Sequence, residues 1–365
     1  VEAGVHKFLS LRLYCYFCTN KKHSSMLTAE SALKTFEDFS KLRVLIIGDV
    51  MVDAYLFGKV DRISPEAPVP VVAVQDRVNR LGGAANVALN IKSLGAEAIL
   101  CAAIGPDQKG KEFFEILDQH QLPKHGILQC SDRPTTTKYR IIGNKTQMLR
   151  VDEEVTNDLS TKDQKRLWKL IEGILHGEKI DVIIFQDYNK GVITKWLITN
   201  TIRLAREKNI PLVVDPKKKN FLAYKHCTLF KPNLKELKEG LDIQFDAGSE
   251  VQTAHAMAVL QEKLHADMIL LTLSERGVFM RTNVANSNQL HHVPAFMRNI
   301  ADVSGAGDTV ISVASLCLAL GQQPKYIAAI SNLAGGLVCE EVGVVPVDKN
   351  KLLQEVLKLL VNTHA

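Results

Sequence analysis

Five short apolar runs constrain the fold of this chain more than any other feature. Val44-Leu45-Ile46-Ile47, Ile99 to Ile104, Val182-Ile183-Ile184-Phe185, Leu212-Val213-Val214 and Met268 to Leu273 are rich in aliphatic and β-branched residues, and each ends near Gly, Asp, Asn or Pro. A strand with one wet face alternates apolar and polar residues. These runs do not, so both of their faces must be covered. Between them, stretches such as Lys162 to Leu175 and Thr194 to Lys208 carry helical apolar spacing. Strands alternating with helices predict an α/β fold: a mostly parallel central sheet, helices on both faces, and ligands at the carboxyl ends of the strands.

Two segments break the pattern. Val69-Pro70-Val71-Val72-Ala73-Val74 is extended and bounded by proline, and Thr137 to Val151 alternates around Gly143-Asn144, a hairpin turn signal. They predict a small β lid, built from about residues 54–75 and 135–152, on one domain spanning 41–362. A lid of this kind closes over a substrate. Its exposed edges suit pairing with a second copy, which predicts a homodimer.

Bulk properties remove several classes. The chain of 365 residues is 46% hydrophobic with a net charge of +5. No Lys/Arg block is interleaved with aromatics, so nucleic acid is not expected, and Lys217-Lys218-Lys219 reads as a solvated loop. The apolar run Val310 to Leu320 is too short to span a bilayer. Seven scattered cysteines fit reduced thiols in a cytoplasmic protein, and Cys15-x-x-Cys18 lacks the partners of a zinc site. Residues 1–40 read as an extension plus a first helix that follows Met26. Met26 itself reads as a start, which makes residues 1–25 upstream sequence.

The segment Asp302-Val303-Ser304-Gly305-Ala306-Gly307-Asp308-Thr309 sits at the mouth of the Val310 to Leu320 run. A helix start offers unpaired N–H groups and partial positive charge to an anion, and glycines let backbone approach it. An acid beside such a site, Asp308, suits a base that deprotonates a hydroxyl attacking a phosphoryl group. It equally suits a helix cap. Gly105-Pro-Asp-Gln-Lys-Gly110-Lys111 fits most of a phosphate-binding P-loop, but Glu112 stands where that loop needs Ser or Thr. A second glycine site, Leu81-Gly82-Gly83-Ala84-Ala85-Asn86-Val87-Ala88, also opens a helix.

The Gly82, Gly83, Asn86, Ala88, Gly95 and Gly105 spacing, together with the Asp302 to Asp308 motif, resembles the two signatures of the PfkB/ribokinase family of sugar kinases. Arg62-Ile63-Ser64-Pro65-Glu66-Ala67-Pro68-Val69-Pro70, Thr137-Lys138-Tyr139-Arg140, Asp187-Tyr188-Asn189-Lys190-Gly191, Asp215-Pro216-Lys217 and Pro232-Asn233-Leu234-Lys235-Glu236 resemble the heptose 7-phosphate kinase branch of that family. The resemblance covers about residues 42 to 360. It implies a ribokinase-like fold and phosphoryl transfer from ATP to the anomeric hydroxyl of D-glycero-D-manno-heptose 7-phosphate. The product would be the 1,7-bisphosphate, for ADP-heptose and lipopolysaccharide core synthesis. The chain's end at Ala365 points to the single-function kinase form. Alternatives are a family kinase of fructose phosphate, ribose or a nucleoside, or a sugar-binding regulator without catalysis.

By the same resemblance Asp308 is the base, and the amides of Gly305, Ala306 and Gly307 hold the transferred phosphoryl. Asn233, Leu234, Lys235 and Glu236 lie at the nucleotide, with Glu236 near Mg²⁺ through water. Asn233 and Glu236 also read as a capping pair. Thr272, Ser274 and Gly277 border the nucleotide, and Asn332 either edges the adenine or packs in the core. The family often has Arg where Leu273 stands here. Asp53, Gly82, Gly83 and Asn86 are assigned to the sugar, Asp49 being an alternative turn acid. Arg62, Lys138, Arg140 and Lys190 are candidates for its phosphate, or are solvated lid charges. A monovalent cation accompanies the second signature in many relatives.

Overall fold

The computed structural model describes residues 27–284, 287–296 and 298–361. The readings of residues 1–25, Met26 and Cys15-x-x-Cys18 lie outside the described residues. In chain order the elements are α1 (Ala29–Asp38), β1 (Arg43–Gly48), β2 (Val50–Ile63), β3 (Pro70–Gly83), α2 (Ala84–Ser93), β4 (Glu97–Ile104), α3 (Gln108–Gln119), β5 (Ile127–Gln129), β6 (Thr137–Gly143) and β7 (Thr146–Glu153). There follow α4 (Thr161–Gly177), β8 (Val182–Gln186), α5 (Lys195–Glu207), β9 (Leu212–Asp215), β10 (Leu229–Phe230), α6 (Leu234–Leu241), α7 (Glu250–Leu264) and β11 (Met268–Thr272). Last come β12 (Val278–Val284), β13 (Ser287–Val293), α8 (Ala306–Ala319), α9 (Pro324–Val338) and α10 (Lys349–Val356).

The main sheet runs β13-β12-β11-β10-β9-β8-β1-β4-β5. It is parallel from β11 to β5, and β12 and β13 add an antiparallel edge. The apolar runs are continuous because successive residues feed two cores. Val44, Ile46, Leu100, Ile184 and Leu270 face one layer with α1, α2, α3, α8, α9 and α10. Leu45, Ile47, Cys101, Phe185 and Leu271 face the other, with α4, α5, α6 and α7. Both layers are needed, since each leaves its half of every strand side chain to be covered. Helix starts are set locally: Thr28, Asp107, Ser160, Thr194, Asn233, Ser249 and Asp348 each accept a first-turn amide. Cys101, Cys130, Cys227, Cys317 and Cys339 are free and buried. No helix among the described residues is long and apolar enough to cross a membrane.

A second sheet, β3-β2-β6-β7, stands out from the body. Strands β2 and β3 are 14 residues each, and their register carries β-bulges between Phe57 and Gly58 and between Val60 and Arg62. The hairpin β6–β7 turns through Asn144 and Lys145, both with positive φ (52° and 66°), one residue beyond the Gly143-Asn144 signal. Strand β2 continues almost directly from β1, so the sheet hangs from the carboxyl edge of the main sheet, over the ends of the parallel strands.

Candidate active site

The carboxyl ends of β8, β9 and β10 deliver Gln186, Asp215 and Lys231 to one place, and the start of α8 meets them there. Gly305 holds the cap position of α8 with φ 81°, a left-handed conformation that disfavours a side chain. A Cβ there would also lie 3.2 Å from Val344 Cγ1 and 3.3 Å from Asn86 Nδ2. The capping reading of Asp308 therefore fails, because the cap is Gly305 and Asp308 lies three residues on. Its carboxylate turns into the site. Oδ1 accepts from Gln186 Nε2 (2.9 Å) and Tyr188 Oη (2.8 Å), and Oδ2 accepts from Asn86 Nδ2 (2.7 Å). Burial pushes the Asp308 carboxyl up to about 6. The Asn86 hydrogen bond opposes the shift, Asp215 adds to it, and Tyr188 and Lys231 also oppose it. A carboxylate tuned to that range is ionised at neutral pH yet basic enough to share a proton.

Cations surround this acid. Lys231 is only 3% exposed and pairs with Asp215 Oδ2 at 2.9 Å. Lys217 pairs with Glu236, approaches Asp215 Oδ1 at 4.0 Å, and lies 5.4 Å from the centre of the Tyr188 ring. Burial alone would lower the Lys217 ammonium, but Asp215 and Glu236 outweigh it and raise it. Gly307 is exposed at the helix mouth, and a Cβ there would come within 3.7 Å of Lys231 Nζ and 3.9 Å of Asp215 Oδ2. The missing side chain leaves room between helix-start amides and a lysine, a cradle suited to a phosphoryl group.

On the proposed nucleotide side, Asn233 and Glu236 form the full capping box of α6, each side chain bonded to the other's backbone N–H at 2.8 Å. The remaining Glu236 oxygen is taken by Lys217. Asn233 bridges to Thr272, and Ser274 and Gly277 form the tight turn that follows, both with positive φ. Leu273 is buried in the core, so the departure from the family's Arg is a packing residue. One candidate falls away from this group. Lys235 points out to solvent beside Glu239, because it follows Leu234, whose side chain packs inward on the core. Asn332, on α9, donates to the Pro294 carbonyl (2.9 Å), and Pro294 lies against Gly277.

On the proposed sugar side, Asp53 is buried and ion-paired with Arg140 across β2 and β6. Gly82 lies against it: a Cβ would sit 2.4 Å from Asp53 Oδ2. Gly83 turns β3 into α2 with φ 61°, its Cβ position 2.4 Å from the Asp49 carbonyl. Asn86 follows one turn on and reaches Asp308. Lys138 pairs with Asp152 (3.2 Å) and Glu154 (3.7 Å), and Lys190 pairs with the same Glu154 (2.6 Å). Arg62 is not brought here. It is exposed on β2, nine residues beyond Asp53, which is about 30 Å of extended chain. Asp49 is a turn acid: its carboxylate accepts the amides of Tyr188, Lys190 and Val192 and so fixes the loop after β8. Burial, then the neighbouring Asp187, raises the Asp49 carboxyl to about 6.

Sequence reasoning did not single out Gln186, Tyr188, Asp215, Lys217 or Lys231 as site residues. The signal was present in position: each ends or directly follows a parallel strand, where open α/β sheets bind ligands.

The family model described as pfkB family carbohydrate kinase matches residues 41–350. Among curated proteins, "Bifunctional protein HldE" of Helicobacter pylori (strain J99 / ATCC 700824) is 37% identical over 322 residues, covering 88% of this chain and 67% of the relative. The protein of that name from Caulobacter sp. (strain K31) is 38% identical over 315 residues, covering 86% and 63%. This chain thus spans about two thirds of the length of those relatives. Among solved structures, phosphofructokinase-2 from Escherichia coli in complex with potassium superposes with a TM-score of 0.71 at 17% identity, over 87% of this chain and 99% of that one. Arabidopsis thaliana ribokinase complexed with ribose and ATP gives 0.64 at 15% identity, over 86% and 98%. At such identities the likeness carries the fold, which is ribokinase-like. With a family match over most of its length and a relative more than a third identical, the chain belongs to the pfkB family of carbohydrate kinases, and it is a sugar kinase.

Proposed function

We propose that this kinase transfers the γ-phosphoryl group of ATP to the anomeric hydroxyl of D-glycero-D-manno-heptose 7-phosphate, giving the 1,7-bisphosphate and ADP. ATP as donor follows from the family. The observation that carries the reading is the carboxylate of Asp308, raised toward neutrality, beside the Gly307 cradle and Lys231. Asp308 accepts the hydroxyl proton as the sugar oxygen bonds to phosphorus and the ADP oxygen leaves. Amides of Gly305, Ala306 and Gly307, with Lys231 and Lys217, stabilise charge on the moving group, so catalysis is mostly positioning and electrostatics.

The donor set fits a nucleotide-bound Mg²⁺: Asp215 and Glu236 offer carboxylate oxygens beside two lysines, and they would hold the ion through water. When bound, the ion neutralises charge between the phosphates. Asn233, Thr272, Ser274 and Gly277 border the nucleotide in this reading. A phosphorylated sugar is supported by the cations on and beside the lid, Lys138, Arg140 and Lys190, and by the resemblance of the Arg62 to Pro70 and Thr137 to Arg140 stretches to the heptose 7-phosphate branch. A homodimer through the lid is supported by its exposed apolar side chains: Ile63, Val69, Val74, Met148, Leu149 and Val151 are all more than 40% exposed.

The test is ADP release with heptose 7-phosphate, fructose 6-phosphate, ribose and a nucleoside, with product identification by mass and NMR. Heptose 7-phosphate is expected to give the highest kcat/KM, and Asp308→Asn to lower kcat by on the order of 10²–10⁴ with both substrates still bound. Preference for another acceptor would remove the substrate assignment. Near-normal turnover by Asp308→Asn would remove the base.

A further inference from the structure

Resting on the sugar-phosphate reading above, we infer that Arg80 is the residue that selects a phosphorylated sugar, by binding the substrate's terminal phosphomonoester. In the register of the lid, Asp53 stands opposite Arg80 on β3 and Lys138 on β6, and Tyr55 opposite Arg140, so these side chains share one face. Charge accounting separates the cations in and beside it. Lys138 is held by Asp152 and Glu154, Lys190 by Glu154, and Arg140 by Asp53. Arg80 has no carboxylate within ion-pair distance among the described residues. A phosphate can engage it without breaking an existing ion pair, which is not true of the other three.

Its guanidinium is also held ready. Its Cζ lies 5.1 Å from the centre of the Tyr55 ring, which Arg140 flanks at 5.3 Å. Nη1 reaches the Val344 carbonyl at 3.5 Å, a long contact that leaves most of its donors unused. The neighbouring Gly343 has φ 80°, and a Cβ there would come 2.8 Å from Arg80 Nη1, so this glycine keeps the space around the guanidinium open. Val344 in turn packs at Gly305, which touches Asn86, the donor to Asp308. Arg80 is thus linked to the base by a short chain of neighbours, Val344, Gly305 and Asn86. In this proposal the far end of the sugar lies at this guanidinium when its anomeric hydroxyl meets Asp308. A planar fork placed over an aromatic ring suits bidentate recognition of a phosphate dianion.

The experiment compares wild type, Arg80→Met and Arg80→Lys, as full chains, with D-glycero-D-manno-heptose 7-phosphate and with the unphosphorylated heptose. For the phosphorylated sugar, Arg80→Met is expected to lower kcat/KM by on the order of 10²-fold, chiefly through KM, the loss of charge-assisted bonds to one dianion. The ATP KM should be unchanged, Arg80→Lys should recover part of the loss, and all three enzymes should be equal on the unphosphorylated sugar. Equal losses on both sugars would make Arg80 a structural residue and overturn the inference. So would full activity of Arg80→Met on the phosphorylated sugar while wild type still selects it, and the substrate reading would then survive alone. A wild type indifferent to the phosphate would overturn both.

Discussion

Removing the hydroxyl of Tyr188 tests how the base is tuned. In Tyr188→Phe the ring remains, with Lys217 still beside it, and the backbone stays clamped because Asp49 holds the amides of Tyr188, Lys190 and Val192. What disappears is one donor, 2.8 Å from Asp308 Oδ1, leaving Gln186 Nε2 on that oxygen and Asn86 Nδ2 on the other. The lost bond favoured the ionised carboxylate, so its removal raises the pKa. A hydrogen bond to a charged group contributes about 1.5–3 kcal/mol, and one pKa unit is about 1.4 kcal/mol. The Asp308 carboxyl, now about 6, should therefore move up by roughly one to two units. At pH 7 its ionised share would fall from about nine tenths to between about a half and a tenth.

The assay is kcat/KM for the sugar as a function of pH, by coupled ADP release. In wild type the rate should rise with pH through about 6, as the base loses its proton. In Tyr188→Phe the same limb should lie roughly one to two units higher, with the rate recovered on its alkaline side. Asp49 also titrates near 6, but it is present in both enzymes, so the difference between the two profiles reports Asp308. A limb that does not move refutes the reasoning, whether or not the rate falls by a constant factor. Such a factor would assign the hydroxyl to orientation rather than to tuning.

Two further perturbations probe the lid. Gly82→Ala would put a methyl 2.4 Å from Asp53 Oδ2 and 2.7 Å from Met51 Cγ, so the Asp53–Arg140 pair must shift; a stability loss of about 1–3 kcal/mol by urea titration and a raised sugar KM with unchanged ATP KM are expected. Leu149→Asp puts a charge on the lid face opposite that pair, where Leu149 is 57% exposed and in register with Leu56 and Ile141; sedimentation should give a monomer where wild type gives a dimer, and a monomeric wild type would refute the lid interface.

The sheet was legible because burial on both faces leaves an unbroken apolar signature, and Val44 to Ile47 divides residue by residue between two cores. The two-residue β10 and the antiparallel β12–β13 edge carry no such run, and they were not read. Within the site, the glycine motifs were visible because backbone conformation and close approach admit few residue types, as at Gly83 and Gly305. The cations were harder, since a lysine codon looks the same whether its side chain is solvated or buried. Lys235 and Lys231 are four residues apart; one is out in water beside Glu239, and the other is 3% exposed against Asp215. What separates them is position in the fold: Lys231 directly follows β10, whereas Lys235 is on the outward side of α6. For this fold, a charged residue one or two places past a parallel strand is a site candidate in its own right, because the sheet edge fixes where its side chain must go.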